Sequence, residues 1–333
     1  MGVTIKDIAK LANVSHTTVS RALNNSPLIN EETKNRIKAI AEQLNYVPNY
    51  SAKSLVLRKS YTIGLFFSSI SEGTTPVFFY EIVSGVNSVI EENYNLVVRG
   101  IDDYKDLTLI NNERFDGIVL MSQSDNDNEF IYHVWQKKIP LVVLNREIEG
   151  NSLINILSDD TEGAYKAVRY IIENGHRDIA IIEGEEKFKS AKIRKDGFLK
   201  ALIDNKIPVQ SEYMVRGNYD MKSGYDAMKK LLSLPKVPTA VFCSNDDMAI
   251  GAIKAAFEKG LSIPKDISIV GFDDMEFSEY TTPALTTVKR PMKEISIIGA
   301  KKVIDLIDKK DYIGEKVYIK TELIIRDSVA KLE

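Results

Sequence analysis

Cysteine is almost absent from this 333-residue chain. The single one, Cys243, has no intramolecular partner, which excludes a disulfide framework and a cysteine-built metal site and points to a reducing compartment. It lies in the strand-like run TAVFCSN, where a buried inert thiol is the plain reading. Histidine is scarce too: His16, His133 and His176 lie at no metal-binding spacing. No apolar run approaches the roughly 18 residues that span a bilayer. The start has no apolar stretch of the signal-peptide kind, and Lys6 stands where a myristoylation signal needs Ser or Thr. A phosphate-binding Walker loop and a nucleophile elbow are missing. These absences set the expectation of a cytosolic protein with no metal and no cofactor.

Charge is present but unevenly placed. Up to Lys59 there are nine lysines and arginines against four acidic residues, a balance of +5, while the remainder holds 35 against 43, a balance of −8. A small basic module on a larger acidic body points to a polyanion partner for the first part alone.

Within VTIKDIAKLANVSHTTVSRALNN, Ile5, Ile8, Ala9 and Ala12 recur at helical spacing, as do Val19, Ala22 and Leu23. Asn13 tolerates the left-handed backbone that a tight inter-helix turn needs, Val14 plugs the joint, and Ser15 is a good N-cap. The pattern predicts a helix-turn-helix. A third helix follows in INEETKNRIKAIAEQLNY, capped by Asn30, with Glu31 and Glu32 at the positive end of its dipole and Ile37, Ile40, Ala41 and Leu44 as its buried stripe. The second helix offers His16, Thr17, Ser20 and Arg21 on its other face; in a helix-turn-helix that face meets base edges in the major groove. For His16 the alternative is a solvated surface residue.

The stretch YVPNYSAKSLVLRKS reads as a connector, yet carries Leu55, Val56 and Leu57 in a row. Pro48 stops the preceding helix, and the helix-compatible YSAKSLVL is shorter than the roughly 12 to 15 residues an isolated helix needs in water. Two readings stay open: the three apolar residues pack on the larger domain, or the segment folds on DNA beside a second subunit's copy and wedges a minor-groove base step.

These two segments, VTIKDIAKLANVSHTTVSRALNN and YVPNYSAKSL, resemble the DNA-binding headpiece and hinge of the lactose-repressor and galactose-repressor family of bacterial transcription regulators nearly residue for residue. The resemblance implies that His16, Thr17 and Arg21 read bases, that Ser15 belongs to the same DNA-contacting set, and that Asn24 and Asn49 lie near phosphates. It implies a hinge helix at 49–57 with Leu55 as its wedge and Ala52 packed alongside. Asn13 stands where many members have Gly.

From residue 61 apolar runs alternate with amphipathic stretches. TIGLFF, NLVVRGI, DGIVLMS, PLVVLN, DIAIIEG, TAVFCSN and SIVGFDD read as parallel strands covered on both faces by helices. Ligands in such sheets bind beyond the carboxyl ends of the strands, which makes Asn145, Arg146, Asn245, Asp246, Asp273 and Asp274 candidates. SAKIRKDGF, FCSNDDMAIGA and SIVGFDDMEFS are similar to signatures of the same family's effector domain, itself similar to periplasmic sugar-binding proteins.

The expected architecture is an all-α helix-turn-helix headpiece plus hinge helix, residues 1–58, followed by an α/β periplasmic-binding-protein-like core of two doubly wound parallel-sheet subdomains, residues 59–333. The first subdomain covers about 60–158 and 291–319, the second about 159–290 and 320–333. Carried over by position, Ser190, Arg194, Asn245 and Asp273 hydrogen-bond an effector, Phe79 and Tyr219 flank it, and Asn145 stands where an Asp often sits. For Phe78 and Phe79, core packing is the competing reading. Set against the shorter pattern of the family it resembles, the run SSISEGTTPVFF carries extra residues before the aromatics, an enlarged rim that favours a di- or oligosaccharide.

Three rivals to a sugar-controlled repressor remain on the sequence. The pairs Asp159-Asp160, Asp246-Asp247 and Asp273-Asp274 admit an enzyme reading, but adjacent strand residues point opposite ways and offer one carboxylate each to a cleft. A solute-binding protein fits the cleft domain but not the basic headpiece. A purine- or phosphoprotein-responsive regulator fits both. The expectation is a non-enzymatic, DNA-binding homodimer that represses carbohydrate-use genes, recognises a palindromic double-stranded operator and responds to a small sugar effector, with no membrane partner.

Overall fold

The computed structural model describes residues 3–23, 25–44, 46, 59–71, 74–150, 153–308 and 313–332. The chain divides into two compact units, Met1–Arg58 and Lys59–Glu333.

The smaller unit holds α1 (Ile5–Leu11), α2 (His16–Leu23) and α3 (Glu31–Gln43). Local chemistry sets each boundary. The Asp7 carboxylate accepts from the Thr4 amide at 2.8 Å and the Thr4 hydroxyl at 2.7 Å, starting α1. Asn13 turns the chain with φ 50°, and the Ser15 hydroxyl accepts from the Thr18 amide at 3.0 Å to open α2. The Asn30 side chain accepts from the Thr33 amide at 2.8 Å to open α3. Ile8, Ala9, Ala12, Val19, Ala22, Ile37 and Ala41 close one small core among the three helices.

The larger unit contains two parallel sheets. The first has strand order β11-β5-β4-β3-β1-β2, from β1 (Thr62–Phe67), β2 (Asn95–Gly100), β3 (Gly117–Met121), β4 (Leu141–Leu144), β5 (Ile154–Ser158) and β11 (Lys316–Ile319). Alternation along β1 explains its two layers. Ile63, Leu65 and Phe67 meet α4 (Pro76–Ile90) and α10 (Met292–Asp308), while Phe66 meets α5 (Asn128–Gln136) on the opposite face.

The second sheet has the order β7-β6-β8-β9, from β6 (Ile179–Glu183), β7 (Met214–Arg216), β8 (Ala240–Cys243) and β9 (Ser268–Val270). Helices α6 (Asp160–Glu173) and α7 (Lys189–Asp204) cover one face; α8 (Met221–Leu231) and α9 (Asp246–Glu258) cover the other. A short antiparallel pair, β10 (Thr287–Lys289) with β12 (Glu322–Ile324), completes this lobe. The chain passes between lobes three times, from β5 into α6, from β10 into α10, and from β11 into β12.

Helices α8 and α9 touch backbone to backbone. A Cβ on Gly251 would stand 1.9 Å from the Met221 carbonyl oxygen, and one on Gly224 would stand 2.2 Å from that of Met248. Alanine elsewhere in a helix gains about 1 kcal/mol over glycine. Here the clash reverses the sign, and Gly251→Ala should destabilise by about 1–3 kcal/mol, read as a lower urea midpoint; a stabilised variant would contradict this packing.

Candidate functional site

In the smaller unit the capped start of α2 leaves Ser15, His16, Thr17 and Arg21 exposed on one side, with Ser20 half-buried between them, while Val19 and Ala22 face the core. That arrangement gives a helix whose N-terminal turn is free to enter a groove and whose far side is fixed by packing. The Arg36 guanidinium donates to the Ala12 carbonyl at 3.3 Å, holding α3 against the inter-helix turn. Asn24, Asn49, Ala52, Leu55 and the expected hinge helix lie outside the described residues.

In the larger unit the strands end where the two lobes face each other, and the residues just past those ends line one cavity. Thr75, Phe78, Gln123 and Asn145 come from the first lobe; Phe188, Ser190, Arg194, Tyr219, Asn245 and Asp273 come from the second; Arg290 comes from a crossing segment. Several of them also cap helices. The Thr75 hydroxyl opens α4, and Asn245 accepts from the Met248 amide at 2.9 Å to open α9. The sequence that starts these helices therefore places polar groups at the cleft.

A charged network fills the centre. Arg194 donates to Asp160 at 3.0 Å, to Asp273 at 3.3 Å and to the Ser244 carbonyl, and its guanidinium lies 4.1 Å from the Phe272 ring centroid. Arg290 donates to Asp160 at 3.0 Å, to Asp273 at 3.5 Å and to Ser158 at 3.1 Å, then reaches Asn145 Oδ1 of the first lobe at 2.7 Å. Both arginines and Asp160 are buried. Burial alone would raise the Asp160 carboxyl, but Arg290 and Arg194 outweigh it and hold the group below its ordinary value. Burial does prevail at Asp273, which is raised despite the same two arginines. Ser190 and the Tyr219 hydroxyl lie 2.9 Å apart, and Tyr219 stacks on Phe188 with ring centroids 6.2 Å apart.

The inner cavity is small, about 40 Å³. Sharing Thr75, Phe188 and Tyr219 with it is an outer cavity of about 650 Å³. Only the outer one has the volume of a usual small-molecule pocket, ~300–1,000 Å³.

Three sequence expectations are corrected here. Phe79 does not line the cleft: it packs on Phe67 with centroids 5.2 Å apart, and Phe78 takes the cleft position, because one residue along a helix turns the side chain by about 100°. Arg146 does not line the inner cavity but borders a separate one, and it donates to Ser122 at 2.7 Å, Asp125 at 2.9 Å and Asn128 at 2.8 Å. The aspartate pairs do not sit on strands. Asp159 caps α6 and Asp160 starts it; Asp246 and Asp247 are the first residues of α9; Asp273 and Asp274 share a loop with φ 116° and 55°. Each pair still divides its duties. Asp246 is consumed by the Met275 amide and by the Ser278 and Thr287 hydroxyls, and Asp274 by Arg326. Asn145, Ser190, Arg194, Tyr219, Asn245 and Asp273 do share the inner cavity. Sequence reasoning missed Arg290, Phe188 and Gln123, and named Asp160 and Asp247 only as members of the aspartate pairs.

Among the described residues no group of histidine, cysteine and carboxylate side chains could hold a metal ion, and no helix is long and apolar enough to cross a membrane. Cys243 is buried, and burial pushes its thiol far up, with Asp246 adding to the effect.

Comparison with known proteins agrees with this anatomy. Residues 4–49 match the family described as bacterial regulatory proteins, lacI family, and residues 168–329 match a periplasmic binding protein-like domain. The chain is 61% identical over 330 residues, 99% of both chains, to the probable HTH-type transcriptional repressor ExuR of Bacillus subtilis (strain 168). It is 38% identical over 334 residues to the HTH-type transcriptional repressor PurR of Proteus mirabilis (strain HI4320), covering 98% of this chain and 97% of that one. Among solved structures, the Lac repressor dimer bound to operator and the anti-inducer ONPF superposes with TM-score 0.84 at 27% identity, covering 99% of this chain and 100% of that one. A complex of the transcriptional regulator CelR with cellobiose gives TM-score 0.74 at 25% identity, covering 98% and 99%. With whole-chain identity of that size and a helix-turn-helix match at its start, the chain belongs to the LacI family of bacterial regulatory proteins.

Proposed function

We propose that this chain is a cytoplasmic, homodimeric repressor that binds a palindromic operator and takes a carbohydrate in the interlobe cleft as its effector. The observation that carries the reading is the presence in one chain of an outward-facing α2 surface and of a polar cleft at the carboxyl ends of two parallel sheets. Arg21 pairs with a guanine edge, and Ser15, His16 and Thr17 reach neighbouring bases or phosphates. A two-fold dimer presents two such helices, so the operator repeats with the same symmetry.

Arg194 and Asp273 supply the donor and acceptor forks that suit adjacent hydroxyls, with Asn145, Ser190 and Asn245 beside them and Tyr219 and Phe78 as the ring-covering aromatics. The solved relative with cellobiose makes a sugar the first class to test. Three chain crossings tie lobe movement to the ends of β5, β10 and β11. An effector changes operator affinity only by favouring one lobe arrangement over the other.

Calorimetric titration of the full chain with mono- and disaccharides, and with nucleobases, tests the ligand class. A saccharide should bind the parent, and Asp273→Ala should lose that heat. Binding of nucleobases alone would replace the sugar reading.

A further inference from the structure

Lys189 carries the further inference, because it sits between two residues that line the cleft and does not line it itself. Phe188 and Ser190 border the inner cavity, while Lys189, of the second lobe, borders a separate cavity with Asp125 and Arg146 of the first. There its ammonium lies 2.6 Å from Asp125 Oδ2. The other carboxylate oxygen of Asp125 takes the Arg146 guanidinium at 2.9 Å, and Arg146 is itself buried and tied to Ser122 and Asn128. The first lobe therefore presents a carboxylate that is already fixed in place.

The backbone makes a second tie at the same residue. Lys189 is the first residue of α7, and Phe188 before it supplies no side-chain cap. The first amides of a helix have no partner within the helix. The Lys189 amide finds its acceptor on the other lobe, in the Gln123 carbonyl at 3.0 Å, and Gln123 lines the inner cavity. Both ties lie away from the three chain crossings, so they hold only while the lobes are together. The Lys189 and Asp125 side chains stay 43% and 57% exposed, so dissolved salt reaches the pair and screens it.

We propose that Lys189 is a positioning residue that clasps the two lobes together beside the effector cleft, through its ammonium on Asp125 and its amide on the Gln123 carbonyl; the proposal rests on reading that cleft as the effector site. Separation of the lobes breaks both ties at once. The clasp is made before and after binding, so it slows the opening by which an effector enters or leaves. It makes that opening sensitive to ionic strength, and Lys189 touches no effector itself.

Hydrogen exchange of the full-length protein without any sugar tests the clasp. Two variants are compared with the parent: Lys189→Met, which keeps the side-chain length, and Asp125→Asn, which keeps an acceptor for Arg146. In both, the amide of residue 189 should exchange about two- to five-fold faster relative to its intrinsic rate, the size of effect one surface ion pair gives, while the α9 amides stay as they were. Raising NaCl from about 50 to about 500 mM should speed that amide in the parent and leave it unchanged in both variants. Unaltered exchange in either variant, a parent indifferent to salt, or equal acceleration of α9 would overturn the clasp. Stopped-flow mixing with glucose and with cellobiose, the sugar held by a solved relative, reads the consequence. A sugar that binds the parent should both associate with and dissociate from Lys189→Met about two- to five-fold faster, with little change in affinity. A change confined to one rate would make Lys189 an effector contact and overturn the positioning role. Binding of neither sugar would count against the carbohydrate reading alone, and the exchange result would still decide the clasp.

Discussion

Alanine at Asp160 is expected to lower the unfolding free energy of the larger unit by about 3–5 kcal/mol, the usual effect of removing one member of a buried ion network. Asp160 stands between Arg194 and Arg290 at 3.0 Å from each and also takes the Ser158 hydroxyl. Its loss leaves two buried guanidiniums to share Asp273. The pH dependence follows from the sign of the shift. The folded carboxyl is held below its unfolded value, so its contribution is complete above about pH 4 and is lost only as pH falls through the folded value. Urea titrations should therefore show the full deficit from pH 5 to pH 8 and a closing gap below pH 4. Removing Arg290 together with Asp160 leaves Arg194 and Asp273 as a balanced pair, so the double variant should cost less than the two single variants added. Additive losses would contradict a shared network.

The second large effect is on DNA. Arg21→Ala should cost about 1–3 kcal/mol at one operator position and relax the base preference there. Arg21 is exposed on α2 while Val19 and Ala22 are buried, so the substitution leaves the headpiece core intact. A loss of equal size on every duplex would make Arg21 a phosphate contact instead, since phosphate contacts weaken binding without changing preference. Competition titrations against single-base operator variants separate the two.

Much of the fold was legible because local chemistry announced it. Asn13, Ser15 and Asn30 mark the helix boundaries of the headpiece. Continuous Val, Ile and Leu runs mark strands covered on both faces. The strands that escaped are short or half-polar: Met214–Arg216, Lys316–Ile319 and Glu322–Ile324 carry too little apolar pattern to stand out. Ile154–Ser158, outside the runs singled out as strands, also joins the first sheet before the chain crosses.

At the cleft, residues directly after strongly apolar strands were easy to place there. Arg290 was not, because the short β10 before it carries only three residues, and the partners of Arg290 are 17, 130, 132 and 145 positions away. Only the triple crossing of the chain brings Asn145, Asp160, Asp273 and Arg290 together. Phe78 and Phe79 could not be told apart without the phase of α4, and one residue of error exchanges cleft for core. The aspartate pairs misled for a related reason. The strands before them end sooner than the apolar runs imply, leaving the carboxylates on helix starts and loops, where strand alternation does not apply.

The central claim, that a ligand between the lobes controls how α2 reads DNA, is tested most directly by one titration. Duplexes enriched from a random pool by the full-length protein are bound again with and without the saccharide that calorimetry identifies. The account predicts enrichment of a two-fold symmetric sequence and at least a ten-fold change in its affinity when the sugar is added, with little change for unrelated duplexes. Equal affinity for all duplexes, or operator affinity indifferent to a bound sugar, would contradict it.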